Sequence, residues 1–261
     1  MIYVSLKGRM CNQMFQMAAA KALSLDNNAD FVCSSHTSGI SPTNSETTKY
    51  RMTIFEDIKF ESFPRTGLTV HHGSSDFSYE KINYTSNICL DGYYQSEKYF
   101  VHRKAEIKDM FAIPDKISNF ISRNFSSLLE KNTCAVHIRR GDYLKYKEYH
   151  TNLGEDYYSK CFSAFENTHY VFFSDDIEWC KERFGYLDAT FVNTGFDVID
   201  FFLMSKMKNN IIANSSFSWW AAWLNENENK RVIAPGTWFG PKNSNFKTED
   251  IIPNEWEIIN V

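Results

Sequence analysis

The sequence predicts an α/β protein organised on parallel sheet, and three observations predict it. In the second half, short apolar runs with strand character alternate with helix-forming stretches, the pattern of parallel strands joined by right-handed crossovers. The polar motifs of that half fall directly after apolar runs: Arg139-Arg140-Gly141-Asp142, Ser174-Asp175-Asp176 and Asn214-Ser215-Ser216-Phe217-Ser218. The chain also opens on an apolar run, a glycine and a helix-forming stretch, a geometry that presents backbone N–H groups to an anion. Ligands of such sheets bind beyond the carboxyl ends of the strands. Position and chemistry therefore single out the same residues.

Taken in order, Ile2–Leu6 reads as a short strand and Gly8 as a turn. Gln13–Leu25 is rich in strong helix formers, with Met14, Met17, Ala18, Lys21, Ala22 and Leu25 at helical spacing. The turn between them carries the guanidinium of Arg9 and the amides of Asn12 and Gln13, which suit an anion; the plainer alternative is an ordinary βα turn with Asn12 as the helix cap. Asp30–Cys33 is a second strand. Residues 34–50 are polar and read as a loop of a length that is usually functional or mobile. Leu68–His71 and Ile88–Tyr93 are further strands. His71 and His72 are not read as a metal pair, because adjacent strand residues face opposite ways. Ser96–Phe111 reads as one helix capped by Ser96. Pro114 closes this half, which divides the chain into expected domains 1–115 and 116–261.

Ile117, Phe120, Ile121, Phe125, Leu128 and Leu129 suit one amphipathic helix. Cys134–Ile138 is a strand, and the break at Gly141 marks an expected loop. Then follow strand His169–Phe173, helix Ile177–Phe184, strand Ala189–Val192 with Asn193-Thr194-Gly195, helix Val198–Met207, strand Asn210–Ala213, helix Trp219–Asn225 and a last inner strand Arg231–Ala234.

Composition excludes several classes of function. The net charge of −4 offers no basic field for nucleic acid. No apolar run is long enough to cross a bilayer. The start lacks the basic head and apolar segment of a secretory signal. The six cysteines are scattered without a CxxC pair, which opposes a zinc or dithiol site and suits reduced thiols in a cytoplasm. The expected location is the cytoplasm, or the inner face of its membrane. Aromatic residues make up 16% of the chain, and a plain aromatic core accounts for them more simply than a sugar-binding surface.

Each motif has two chemical readings. Arg139 and Arg140 place two guanidiniums at a strand end, where a fork of donors suits a diphosphate; they could equally pair with nearby carboxylates. Asn214 with Ser215, Ser216 and Ser218 precedes a helix, where hydroxyls and free N–H groups suit phosphate oxygens or simply cap it. Trp219 and Trp220 read as core. Asp175 and Asp176 after Ser174 could hold Mg²⁺. The favoured alternative is that one orients an arginine and the other caps the next helix. His137 could be a core histidine or a contact to a purine or ribose. Asp142 could be a general base for an acceptor hydroxyl or an ion-pair partner.

These residues resemble a known family. His137-Ile138-Arg139-Arg140-Gly141-Asp142 is similar to the HxRRxD motif of α1,2-fucosyltransferases, and Gly8-Arg9-Met10-Cys11-Asn12-Gln13-Met14-Phe15-Gln16 resembles their amino-terminal GxxNQxFQ segment. Phe173–Asp176 and Asn214–Leu224 resemble two further blocks in the expected order. The resemblance implies two facing Rossmann-like domains of the GT-B glycosyltransferase type, an acceptor-side domain first and a GDP-fucose-binding domain second. It implies metal-independent, inverting transfer of L-fucose from GDP-fucose to the 2-hydroxyl of a terminal galactose, in an oligosaccharide or lipid-linked glycan, with no cofactor. The implied catalytic residues are Arg139, Arg140 and Asp142. The implied donor-binding set is His137, Arg139, Ser174, Asp175, Asn214, Ser215, Ser216 and Ser218. Arg9, Asn12 and Gln13 would come from the opposite domain and close a cleft on the acceptor side.

Overall fold

A computed structural model describes residues 1–35, 50–64 and 66–260. Most of the expected loop 34–50 lies outside them. The chain divides into two compact units, residues 1–112 with 246–253, and residues 113–245 with 254–261. Residues 246–253 thus group with the first unit, although the sequence division assigns them to the second.

The first unit is built on β1 (Ile2–Val4), α1 (Met10–Asp26), β2 (Phe31–Ser34), β3 (Phe60–Glu61), β4 (Thr69–His72) and β5 (Ile88–Asp91). The strands form a parallel sheet in the order β3-β2-β1-β5-β4. Helix α1 starts three residues earlier than expected, with Arg9 and not Asn12 at its N-cap. The cause is Gly8, whose φ of +70° turns the chain in the left-handed region. Arg9 is then extended and its carbonyl accepts from Asn12 N and Gln13 N. Met14, Met17, Ala18 and Ala22 are fully buried. The expected helix 96–111 is broken into 3₁₀ turns Glu97–Tyr99 and Val101–Arg103 and helix α2 (Lys104–Met110). Phe100, fully buried and 6.2 Å from Phe15, takes φ −145° at the break, so tertiary packing overrides helical propensity there.

The second unit contains α3 (Asp115–Asn124), α4 (Ser126–Leu129), β6 (Thr133–Ile138), α5 (Gly141–Lys145), α6 (Glu155–Phe162), β7 (His169–Ser174), α7 (Ile177–Phe184), β8 (Ala189–Val192), α8 (Asp197–Ser205), β9 (Asn209–Ile211), α9 (Ser216–Leu224), β10 (Val232–Pro235) and β11 (Glu257–Ile259). The expected single helix over 117–129 is two, broken at Phe125 (φ −130°). The expected loop after Gly141 is a short helix, closed by Leu144 N on Arg140 O at 2.8 Å. Helix α6 and strand β11 were not expected.

All strand pairs of this unit are parallel, in the order β11-β10-β9-β6-β7-β8. The chain runs outward through β6, β7 and β8, then returns to lay β9 against the other edge of β6. The order reverses between β6 and β9, which makes their carboxyl ends the topological switch point. Strand β6 is buried along its whole length. Cys134, Val136 and Ile138 pack with Tyr157, Tyr158 and Cys161 of α6 and with Cys180 and Phe184 of α7. The alternate face carries His137 toward Phe217, and Phe217 in turn meets Phe201 of α8. Trp219 and Trp220 are core residues, as expected, and so is Trp223. Among the described residues, no helix is long and apolar enough to cross a membrane.

Candidate active site

The site of the second unit grows from the ends of β6, β7, β8 and β9. Arg139 leaves β6 with Nη2 2.6 Å from Asp142 Oδ1 and Nη1 2.9 Å from Asp175 Oδ2. Arg140 places Nε 3.0 Å from Asp176 Oδ2, and its guanidinium lies 3.9 Å over the ring of Trp179. Backbone N of Arg140 donates to Asp175 Oδ1 at 2.8 Å. Asp176 also caps α7 by accepting from Trp179 N, and Ser174 Oγ accepts from Asp176 N at 2.9 Å. Asp175 therefore orients the arginine segment and Asp176 caps a helix, in one connected network.

Both arginine side chains remain about a fifth exposed, 22% for Arg139 and 21% for Arg140. Arg139 Nε and both Nη atoms of Arg140 have no partner among the described residues. A guanidinium offers five N–H donors in a planar fork, so the three carboxylates orient this pair without consuming it. Gly141 suits this arrangement: a Cβ there would lie 2.6 Å from Asp175 Oδ2, so the carboxylate would have to shift.

The loop after β9 supplies the facing wall. Ser215 is the N-cap of α9, with its side chain accepting from Phe217 N. Ser215 and Ser216 are half-buried at that helix start. Asn214 plays a different part from the one expected. Its side-chain nitrogen donates to Thr151 O at 3.0 Å and Trp238 O at 2.7 Å, and the residue is 2% exposed. It braces the loop, and its N–H groups are not on offer to a diphosphate. Ser218 is fully buried and its Oγ sits 2.9 Å from His137 Nδ1. It holds His137 and does not itself reach a ligand. Burial, reinforced by the charge of Arg139, pushes His137 down to about 3, so the ring is neutral at any physiological pH.

Several contributors were not singled out by the sequence. Tyr143 donates from its hydroxyl to Asn214 O at 3.0 Å, lies 5.6 Å below the Arg139 guanidinium and stacks on His150 at 4.2 Å. Trp179 carries the Arg140 stack. Asp200 Oδ1, beyond β8, accepts from Thr194 Oγ1 at 2.7 Å and Thr194 N at 3.3 Å. Burial raises the pKa of Asp200 against those hydrogen bonds. Trp179 stands three residues past Asp176, a helical spacing that could have been read from the sequence. Asp200, inside an apolar helix, had no local signal beyond its charge. An open cavity of about 660 Å³ is lined by Lys147, Thr151, Asn152, Thr237 and Phe239 among others. Its lining includes neither Arg139 nor Arg140.

In the first unit, Gln16 holds the turn before α1 by pairing with both backbone groups of Lys7 at 2.9 Å. Gln13 Nε2 donates to Gly8 O at 2.9 Å, and Asn12 Oδ1 accepts from Gln95 Nε2 at 2.8 Å. Gln13 is 1% exposed, Asn12 is half-buried and Arg9 is exposed. His71 Nδ1 lies 3.1 Å from Tyr94 Oη and His72 Nδ1 3.3 Å from Asp91. The two histidines thus take separate partners.

Known proteins share this architecture. The family model described as glycosyl transferase family 11 matches residues 1–260. An α-1,2-colitosyltransferase of Escherichia coli is 31% identical over 98% of this chain and 97% of its own length. The galactoside 2-α-L-fucosyltransferase SEC1 of Bos taurus is 24% identical over 85% of this chain and 63% of its own length. Among solved structures, POFUT1 in complex with GDP is similar with a TM-score of 0.53 at 10% identity, over 88% of this chain and 95% of that one. This last likeness establishes the fold, two parallel α/β units of the GT-B type.

Proposed function

The chain belongs to glycosyl transferase family 11, and from that membership we propose that it transfers L-fucose from GDP-fucose to the 2-hydroxyl of a terminal galactose, with inversion and without a metal. One observation carries the reading. Two guanidiniums with uncommitted donors stand at the switch point of a parallel sheet, beside the serine-capped start of α9. A diphosphate leaving group gathers negative charge as its bond to the sugar breaks, and donors fixed in advance at that place stabilise the transition state more than the ground state. Arg139 and Arg140 take the diphosphate oxygens in this scheme, and Ser215 and Ser216 add hydroxyls. The positive charge a metal would bring is already present in the protein. Ser174 and Asp175 act by holding the arginine segment. Asp142 is assigned to proton acceptance from the acceptor hydroxyl or to orienting Arg139, and its 2.6 Å ion pair supports the second role. The Asp200 carboxylate, held by Thr194, has acceptor oxygens of the kind that match the N1–H and N2–H edge of guanine.

The acceptor is a galactose-terminated oligosaccharide or lipid-linked glycan, recognised through the first unit with Arg9, Asn12 and Gln13 near its sheet end. The test is incubation with GDP-fucose and a panel of galactose-terminated acceptors, reading released GDP and the product linkage by NMR. A new α-1,2 linkage with stoichiometric GDP is the expected result; GDP release with another linkage, or none with any acceptor, refutes the assignment. A second reading, a colitosyl donor in place of the fucosyl one, is favoured by the name and near-full coverage of the Escherichia coli relative. Competition between GDP-fucose and GDP-colitose separates the two.

A further inference from the structure

The contacts around His137 bear on which of its nitrogens carries the proton. Ser218 Oγ lies 2.9 Å from His137 Nδ1, 3.3 Å from Ser215 O and 3.4 Å from Ala213 O. A serine hydroxyl has one proton, and carbonyl oxygens only accept. If that proton pointed at the imidazole, the hydroxyl lone pairs would face two carbonyl oxygens with no proton between them. If it points at a carbonyl, as helical serines do toward the preceding turn, Oγ is left as an acceptor for Nδ1–H. Only the second arrangement puts a proton in both the Oγ–carbonyl and the Oγ–Nδ1 contact; each carbonyl also accepts a backbone N–H, Ser215 O from Trp219 N at 3.0 Å and Ala213 O from Ser215 N at 2.8 Å.

We infer that Ser218 is a positioning residue that holds His137 in the Nδ1–H tautomer, so that Nε2 offers a lone pair to an O–H or N–H group of the bound nucleotide sugar. This deepens the GDP-sugar reading above and rests on it. Nε2 has no partner among the described residues, and the residue keeps 6% exposure. The ring is fixed by Phe217, centred 5.5 Å away, and the backbone by Tyr158, whose hydroxyl donates to His137 O at 3.1 Å. An imidazole in this state repels a phosphate oxygen at Nε2. Labour at the site is therefore divided: the arginines take anionic oxygens, and His137 takes a ribose or sugar hydroxyl or a ring N–H. A histidine chosen to bind phosphate would be protonated at the nitrogen that faces the ligand.

The test is a long-range proton–nitrogen correlation spectrum of the full chain labelled with ¹⁵N-histidine, near pH 7, with the His137 signal assigned by its loss in His137→Gln. The unmodified protein is expected to show Nδ1 protonated and Nε2 unprotonated. GDP, or GDP-fucose if the partner is a sugar hydroxyl, then moves Nε2 toward the position of an accepted hydrogen bond. In Ser218→Ala the tautomers mix, and the donor KM rises roughly three- to tenfold with a smaller change in kcat, the fold-change of one lost hydrogen bond. A protonated Nε2 in the unmodified protein, or an unmixed Nδ1–H tautomer in Ser218→Ala, overturns the inference. If calorimetry shows both ligands bound while Nε2 does not move, the contact to His137 is refuted and the GDP-sugar reading stands. If neither ligand binds, that reading falls and the ligand contact with it.

Discussion

Gly141→Ala separates the site from the fold. The new Cβ would lie 2.6 Å from Asp175 Oδ2, so the carboxylate must retreat by about 0.8 Å to reach ordinary contact. That oxygen is the one on Arg139 Nη1 at 2.9 Å, and its partner oxygen accepts from Arg140 N at 2.8 Å. Charge-assisted hydrogen bonds contribute about 1.5–3 kcal/mol each when well shielded. Asp175 is 26% exposed, and screening brings the combined loss to about 1–2 kcal/mol. Alanine is better than glycine in a helix by up to about 1 kcal/mol, which offsets much of that loss. Net stability should change by about 1 kcal/mol or less, which lowers Tm by no more than about 4 °C in a chain of this size. Turnover should respond far more strongly, because a misplacement approaching 1 Å at a preorganised charge costs on the order of a hundredfold. The assay pairs GDP release from GDP-fucose with a thermal melt on one preparation. An intact melt with wild-type turnover would show that Asp175 does not set the arginine geometry, and the site as described would be wrong.

Three further outcomes follow from the same geometry. Arg139→Ala should remove transfer, by at least about a hundredfold as for loss of one oxyanion donor, while leaving circular dichroism native; ordinary turnover in that variant would remove the leaving-group role. Prolonged EDTA treatment should leave turnover unchanged, whereas loss restored by Mg²⁺ would reassign Asp175 and Asp176 to a metal. His137, pushed down to about 3 in the folded chain from an ordinary 6.5, makes the unfolded state bind more protons between those values. Its share of stability is complete above pH 6.5 and declines as pH falls, by about 1.4 kcal/mol per unit. Urea unfolding at pH 7 and pH 5 should therefore show wild type losing about 2 kcal/mol more than His137→Gln, and equal losses would mean the imidazole is not buried as described.

What could be read from the residues was local. Strands buried on both faces announce themselves as apolar runs, and the polar motifs after them mark carboxyl ends because chain direction is written in the sequence. The expected division of labour between Asp175 and Asp176 is legible for the same reason: a cap sits beside the helix it caps. Misreadings arose where distant packing overruled a local preference. Phe100 breaks a stretch with good helical spacing because its ring is wanted in the core. Asn214 sits in a motif that suits phosphate, yet its amide is spent on Thr151 and Trp238. Helix α6, short and flanked by polar residues, shows only Tyr157, Tyr158 and Cys161 as its buried face.

The amino-acid order alone determined that this is a parallel α/β chain, that two guanidiniums stand at the end of a buried strand, and which family it resembles. Tertiary structure alone decided that β9 returns to lie beside β6. That choice sets Ser218 against His137, as the pairing of β6 with β7 sets Asp175 against residue 141. The physical reason is range: strand and cap propensities act over a few residues, whereas the neighbours of a side chain at a strand end are chosen by the order in which the whole sheet is assembled.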